Sequence, residues 1–120
     1  MSKLKKVNLS NSEIRRFQLI RIQFIEAMLI EHGFVTRKIL VAALGLEAAM
    51  SSRDLALYAT LNDTVYLNRI TKRWEVAGDF TPVSGLLHVG AKDFLTAAGV
   101  VFGFELGAVT REKTELGVIR

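Results

Sequence analysis

The arrangement of the chain is decided by residues 36–61, which read TRKILVAALGLEAAMSSRDLALYATL. Thr36 is a suitable helix N-cap, and Gly45 interrupts the apolar pattern with a residue that tolerates a left-handed turn. These signals predict one helix over residues 36–44 and, after the turn, a second helix over about residues 47–61. Gly45 therefore supplies the turn between the two helices.

The second of these helices is predicted to have a slim outer face at its N-terminal end. A spacing of three and four residues turns one set of side chains inward: Ala48, Ser51, Leu55 and Tyr58. The side chains left outside are those of Ala49, Met50, Ser52 and Arg53. Such a face fits the major groove of DNA, which is about 12 Å wide. There Arg53 could bind guanine or phosphate, and Met50 could contact a thymine methyl group.

Residues 64–77 predict a β-hairpin with a basic end. Residues 64–68 and 73–77 are rich in β-branched and aromatic side chains, and residues 70–72 separate them. Three cations lie at or near the tip: Arg69, Lys72 and Arg73. Cations in this position are suited to the phosphate backbone, and they would make the affinity depend on salt.

A first helix precedes this unit and is predicted over residues 13–32, with Gly33 ending it. Residues three and four apart form its core face: Ile14, Phe17, Ile20, Phe24 and Met28. Three further apolar side chains lie off that face: Leu19, Ile22 and Leu29. A helix that is apolar on two sides has two partners to pack against. The sequence leaves open whether the second partner is another subunit or the C-terminal part of the same chain.

The only proline, Pro82, ends the predicted N-terminal domain of residues 1–82, and residues 83–120 form a C-terminal extension. Within the extension, residues 91–101 predict a helix and residues 109–119 predict a hairpin with a charged tip.

The extension is expected to be a dimerisation element. Residues 94–109 are more apolar than a free tail, which suggests a partner. They include Glu105 and are fewer than the roughly 20 apolar residues that cross a bilayer, so no membrane partner is expected. We expect a homodimer with these contact residues: Leu19, Ile22, Leu29, Phe94, Val101 and Phe102.

Charge is unevenly distributed along the 120 residues. The net charge is +4, but residues 1–73 hold 12 Lys and Arg against 6 Asp and Glu, whereas residues 74–120 hold 4 against 6. A basic N-terminal part is typical of a module that binds a polyanion. The chain has no cysteine, only two histidines (His32 and His88) and no catalytic motif, so we expect no enzyme activity, metal site or cofactor. No apolar run follows the basic N-terminus, which predicts a cytoplasmic protein.

An ordered set of residues between Phe24 and Phe80 carries a family resemblance. The set is Ile25, Glu26, Gly33, Val35, Thr36, Arg37, Leu40, Gly45, Leu46, Ser52, Asp54, Leu55, Tyr58, Leu61, Asn68, Arg69, Lys72, Trp74, Asp79 and Phe80. It resembles the N-terminal winged helix-turn-helix of WYL-domain transcriptional regulators, especially those that control phage-defence islands such as BREX and CBASS. In that family the early positions of the recognition helix and the wing face DNA.

Two departures from the family pattern stand out. Where the family often has proline and glutamine, this chain has Ala49 and Met50, which implies a different operator sequence. The residues after the hairpin are too few for a ligand-sensing WYL domain, so effector sensing by that route is not implied.

These features together predict an α+β, mainly α fold: a winged helix-turn-helix with a C-terminal dimerisation extension. The predicted function is sequence-specific binding of double-stranded DNA by a dimeric repressor of phage, plasmid or defence-island genes, at an inverted repeat. The residues expected to contact DNA are Thr36, Arg37, Ala49, Met50, Ser52, Arg53, Arg69, Lys72 and Arg73. The alternative is a protein-binding adaptor or inhibitor that keeps the winged-helix fold without using DNA.

Overall fold

Four helices and three short strands occupy residues 15–107, the part of the chain that the computed structural model describes. In chain order they are α1 (Arg16–His32), β1 (Phe34–Val35), α2 (Arg37–Leu44), α3 (Ala48–Leu61), β2 (Val65–Asn68), β3 (Arg73–Val76) and α4 (Ala91–Phe102). The predicted α+β, mainly helical class is therefore confirmed for these residues. The hairpin predicted over residues 109–119 lies outside them.

The turn between α2 and α3 forms as the sequence predicts. The Thr36 hydroxyl oxygen accepts a hydrogen bond from the backbone N–H of Ile39 at 3.0 Å and so caps α2. Gly45 ends α2 with φ +70°, a left-handed conformation that glycine adopts without steric cost. Beyond this turn α3 packs against both α1 and α2.

The three strands form one antiparallel sheet in the order β1-β3-β2. The β2–β3 hairpin was predicted, but β1 was not, because two residues are too few to give a strand signal. In the sheet Phe34 lies opposite Glu75, and Val35 lies opposite Trp74. The pairing joins the segment between α1 and α2 to the middle strand of the sheet.

The C-terminal segment folds back onto α1 within the same chain. Helix α4 packs against α1 and α2, and Leu86 and Leu95 belong to the same buried cluster as the core residues of α1. The ring of Phe104 meets that of Phe24 edge to face, with centroids 5.9 Å apart. A Cβ atom at Gly99 would lie 3.0 Å from the carbonyl oxygen of Phe104, so glycine allows this return of the chain.

This fold-back corrects part of the predicted dimer contact. Ile22 and Leu29 are 0% and 2% exposed within one chain, so these two side chains have no surface left for a second subunit. Leu19 and Phe94 are half-buried against the core, whereas Val101 and Phe102 are exposed. The dimerisation role of the exposed pair stays a prediction.

One predicted core residue of α1 is wrong. Phe17 is 77% exposed, because it lies in the first turn of the helix, ahead of the buried residues of α1, which begin at Ile22. No helix within residues 15–107 is both long and apolar enough to cross a membrane.

Candidate nucleic-acid interface

Helix α3 has a buried face and an exposed face. The buried side chains are Ser51, Asp54, Leu55 and Tyr58. The exposed residues recur three and four positions apart and are small or basic: Ala49, Ser52, Arg53, Ala56 and Thr60. Met50 is half-buried at the edge, and Ala48, which was predicted to face inward, is exposed at the first position of the helix. The predicted outer face is thus present, and Arg53 is its charged group.

An ion pair between α1 and α3 fixes the rotation of α3. Arg21 donates two hydrogen bonds to Asp54, from Nε to Oδ2 at 2.5 Å and from Nη2 to Oδ1 at 3.3 Å. Asp54 is 1% exposed, so Arg21 supplies the hydrogen-bond donors that its buried side chain needs. A two-point contact of this kind has a defined geometry, which holds the opposite face of the helix toward solvent.

A buried polar network secures the same helix further along. The Tyr58 hydroxyl donates to Glu26, and the backbone N–H of Val83 donates to Glu26 Oε1 at 3.1 Å. Asn62 donates from Nδ2 to the Tyr58 oxygen at 3.0 Å and to the carbonyl oxygen of Thr81 at 2.9 Å. The network ties α1, α3 and the segment before α4 together.

Burial is the largest cause of the pKa shifts of Glu26 and Tyr58 in this network. Loss of solvent raises the pKa of Glu26, although the hydrogen bonds from Tyr58 and Val83 oppose the shift. The pKa of Tyr58 is raised as well, first by burial and then by the charge of Glu26. The shift of Tyr58 keeps its hydroxyl protonated as a donor, whereas the shift of Glu26 favours the protonated carboxyl over the carboxylate.

The start of α2 lies next to the N-terminal part of α3. Arg37 donates from Nη1 to Ser52 Oγ at 3.4 Å, and both residues are exposed. Thr36 was also expected to contact DNA, but it is 4% exposed and its hydroxyl oxygen caps α2. Thr36 thus positions the helix that carries Arg37, and its own contact with DNA stays a prediction.

The basic end of the hairpin lies at the same end of the sheet as the start of α2. Val35 pairs with Trp74, which follows the first residue of β3, and the chain enters α2 two residues after Val35. Neighbouring strands are about 4.8 Å apart, so the turn between β2 and β3 is close to Arg37. The register therefore places the start of α2, with Arg37, at the end of the sheet where the hairpin turns, and Ser52 is linked to Arg37.

The three predicted hairpin cations have different surroundings. Within residues 15–107, Arg69 and Lys72 are exposed and form no ion pair. Arg73 pairs with Glu75, Nε to Oε2 at 3.2 Å, and its guanidinium lies 4.1 Å from the centroid of the Phe34 ring. Arg73 is therefore engaged in holding β3 to β1, and Arg69 and Lys72 are the cations available to a ligand.

Glu75 organises the exposed face of the hairpin. It accepts hydrogen bonds from the Tyr66 hydroxyl at 2.9 Å, from Asn68 at 3.3 Å and from Arg73. The bond from Tyr66, with those from Asn68 and Arg73, holds the pKa of Glu75 below its ordinary value, and the same bond raises the pKa of Tyr66. No local sequence pattern indicates this role, because it depends on the register between β2 and β3.

The sequence patterns did not indicate the role of Glu47, whose carboxylate is exposed at the start of α3. Glu47 is the N-cap residue, and its side chain makes no capping hydrogen bond. Negative charge there suits the helix dipole but would repel a phosphate approaching the same helix end. Any DNA contact must therefore rely on Arg53 and Arg37 more than on the helix N-terminus.

The groove between α1 and α4 lies apart from this region. It has a volume of about 430 Å³, and its described lining residues are Glu31, His32, Lys92, Leu95, Thr96, Gly99, Val100, Phe104 and Leu106. The residues predicted to contact DNA do not line it. Residues 15–107 also contain no group of three or more His, Asp or Glu side chains arranged to hold a metal ion.

Neither the protein-family models nor the curated proteins include a match to this chain.

Proposed function

We propose that this protein is a winged helix-turn-helix repressor that binds double-stranded DNA sequence-specifically. The observation that carries the proposal is the exposed face of α3, which is slim, carries Arg53 and lies beside Arg37 and the basic hairpin turn. In this assignment α2 and α3 form the helix-turn-helix, and the β2–β3 hairpin is the wing. The resemblance to WYL-type regulators supports the same assignment.

Each part of the region then has a distinct role. The N-terminal half of α3 enters the major groove, where Ala49 and Ser52 permit close approach. Arg53 binds a guanine edge or a phosphate, while Met50 contacts an apolar base edge. Arg37, Arg69 and Lys72 bind phosphates and set the position of the protein on the duplex. These contacts supply the affinity, and Arg53 supplies much of the specificity.

A homodimer is part of the proposal. The last turn of α4 exposes Val100, Val101 and Phe102, with 80%, 75% and 44% of their surface accessible. Adjacent exposed apolar side chains are typical of a partner-binding surface. A two-fold dimer through this turn would present two α3 helices to an inverted repeat. Leu19 and Phe94, which are half-buried, would lie at most at its edge.

Binding to DNA selected from a random pool, measured at several salt concentrations, tests the proposal. The logarithm of the affinity should fall linearly with the logarithm of the salt concentration. Lys72→Ala should weaken binding to selected and random DNA alike and reduce the salt slope by about 1. Lys92→Ala makes the same charge change on α4, where Lys92 is exposed, and should leave both quantities unchanged.

Two results would count against a DNA-binding function. One is a chain that enriches no sequence from the pool and binds random duplexes without salt dependence. The other is an equal loss of affinity in Lys72→Ala and Lys92→Ala, which would indicate a general charge effect. A folded protein with no DNA affinity would favour the adaptor alternative.

A further inference from the structure

The tip of the hairpin presents a large apolar side chain to solvent. Ile70 is 93% exposed, the highest value among the large hydrophobic residues within residues 15–107. Single exposed apolar residues are common on protein surfaces and need no ligand to explain them. The turn that holds Ile70, however, has several side-chain hydrogen bonds to its backbone.

Side chains from both strands fix the backbone of this turn. Asn68 Oδ1 accepts hydrogen bonds from the backbone N–H groups of Ile70 at 2.9 Å and Thr71 at 3.1 Å. The Thr71 hydroxyl donates to Glu75 Oε2 at 3.4 Å and accepts from the backbone N–H of Arg73 at 3.3 Å. Ile70 is therefore held at the apex by its neighbours and not by its own packing.

Lys72 completes the turn with a left-handed backbone. Its φ is +64°, a conformation that few residues other than glycine adopt, and its N–H donates to the Asn68 carbonyl oxygen at 2.7 Å. A turn held in this way loses little conformational entropy when it binds. The apex is thus prepared for contact before any ligand arrives.

The residues next to Ile70 in the turn are basic. Arg69 precedes it and Lys72 follows two residues later, both exposed and without an ion pair among the described residues. An apolar tip between two cations matches a narrow groove with phosphates on both walls and with bases and sugars as its floor. The DNA minor groove has this character, is about 6 Å wide, and accepts apolar side chains that wedge between base steps.

On these grounds we propose that Ile70 inserts into the DNA minor groove as an apolar wedge, between phosphates bound by Arg69 and Lys72. The contact lies next to the site of α3, because the hairpin turn and the start of α2 share one end of the sheet. This inference rests on the proposed DNA-binding function and assigns a second groove and a second kind of contact to it.

Ile70→Thr tests the wedge, because threonine keeps the β-branched shape but loses the apolar tip. The affinity for a duplex selected by the parent protein should fall about tenfold. The salt slope should stay at the parent value, because no charge is removed. Val89→Thr is the matched control, since Val89 is an exposed β-branched residue in the segment before α4, and it should bind like the parent.

A second readout reports the wedge directly. A 2-aminopurine base at the step next to the α3 site should become more fluorescent when the parent protein binds, because the base is unstacked. Ile70→Thr at saturating concentration should leave the fluorescence low. Equal affinity of Ile70→Thr and the parent, or an unchanged 2-aminopurine signal with the parent, would overturn the wedge while DNA binding still stood. A parent protein that binds no duplex would instead remove the proposed function itself.

Discussion

The two faces of α3 differ in what they contact. The inner face is tied to the rest of the chain through Asp54, which pairs with Arg21, and through Tyr58, which donates to Glu26. The outer face, from Ala49 to Arg53, has one side-chain hydrogen bond to its surroundings within residues 15–107, the exposed contact of Ser52 with Arg37. One helix thus separates the residues that set its position from those that are available for recognition. Substitutions on the two faces should therefore change different measurements.

The largest effect on stability is expected at the ion pair of the inner face. Arg21→Met leaves the carboxylate of Asp54 buried without its partner. Breaking such a pair costs about 3 kcal/mol of unfolding free energy, the low end of the range for buried pairs, because Arg21 itself is 17% exposed. Urea unfolding measures the loss. Asp54→Leu added to Arg21→Met should restore most of it, and a double variant no more stable than the single one would contradict this explanation.

A slightly smaller loss is expected in the buried network. Tyr58→Phe removes the donor to Glu26 and the acceptor for Asn62, and should cost about 2 kcal/mol in the same urea measurement. Tyr66→Phe is the control, because the Tyr66 hydroxyl also donates to a glutamate, Glu75, but does so at the surface. That variant should lose less than about 1 kcal/mol. Equal losses would mean that burial does not set the value of the bond.

A substitution on the outer face should change the affinity for DNA and leave the unfolding free energy nearly unchanged. Arg53→Ala should weaken binding to the selected DNA by about 1–3 kcal/mol and relax the preference at one base step. Its unfolding free energy should stay within about 0.5 kcal/mol of the parent, because the side chain is exposed. Anisotropy titration and urea unfolding of the same preparation separate the two quantities. A variant that loses stability but keeps its affinity would reverse the assignment of the faces.

The pH dependence of stability distinguishes the buried glutamate from an ordinary one. Burial raises the folded-state pKa of Glu26 above its ordinary value of 4.5, so the folded state holds the proton more tightly than the unfolded state. The stability that comes from this proton is present below the unfolded-state pKa and is lost as the pH rises through the folded-state value. Glu26→Gln should match the parent near pH 4 and be more stable than it near pH 7. Parallel pH profiles for the two proteins would contradict the raised pKa.

Local signals made most of the fold predictable. The N-cap Thr36, the turn residue Gly45 and the three-four spacing within α3 are all contained in short stretches, and they gave α2, α3 and the outer face containing Arg53. The hairpin followed from the composition of its strands. Such signals need no knowledge of which elements are neighbours in space.

Contacts between distant residues could not be predicted in the same way. Arg21 and Asp54 are 33 residues apart in the chain, so no local sequence pattern identifies them as partners. The sequence predicts Arg73 only as a cation of the hairpin. Its contact with Phe34 could not be predicted, because it depends on β1, which is only two residues long. Burial of Ile22 and Leu29 likewise depends on α4 folding back. Each of these contacts depends on tertiary packing and not on local conformation.

The smallest expected effect comes from two adjacent serines that lie on opposite faces of α3. Ser51 is 0% exposed, and its Oγ has no hydrogen-bond partner among the described residues, whereas Ser52 is exposed. Both serine-to-alanine changes gain helix propensity, about 0.5 kcal/mol at most. Ser51→Ala also removes an unsatisfied buried hydroxyl, so it should stabilise the fold by about 1 kcal/mol in total. The difference between the two variants in urea unfolding measures the cost of burying the hydroxyl, together with the weak exposed bond from Arg37 that Ser52→Ala removes. If Ser51→Ala proved less stable than Ser52→Ala, Ser51 would have to donate a hydrogen bond that stabilises the inner face, and the contrast between the faces would be weaker at that position.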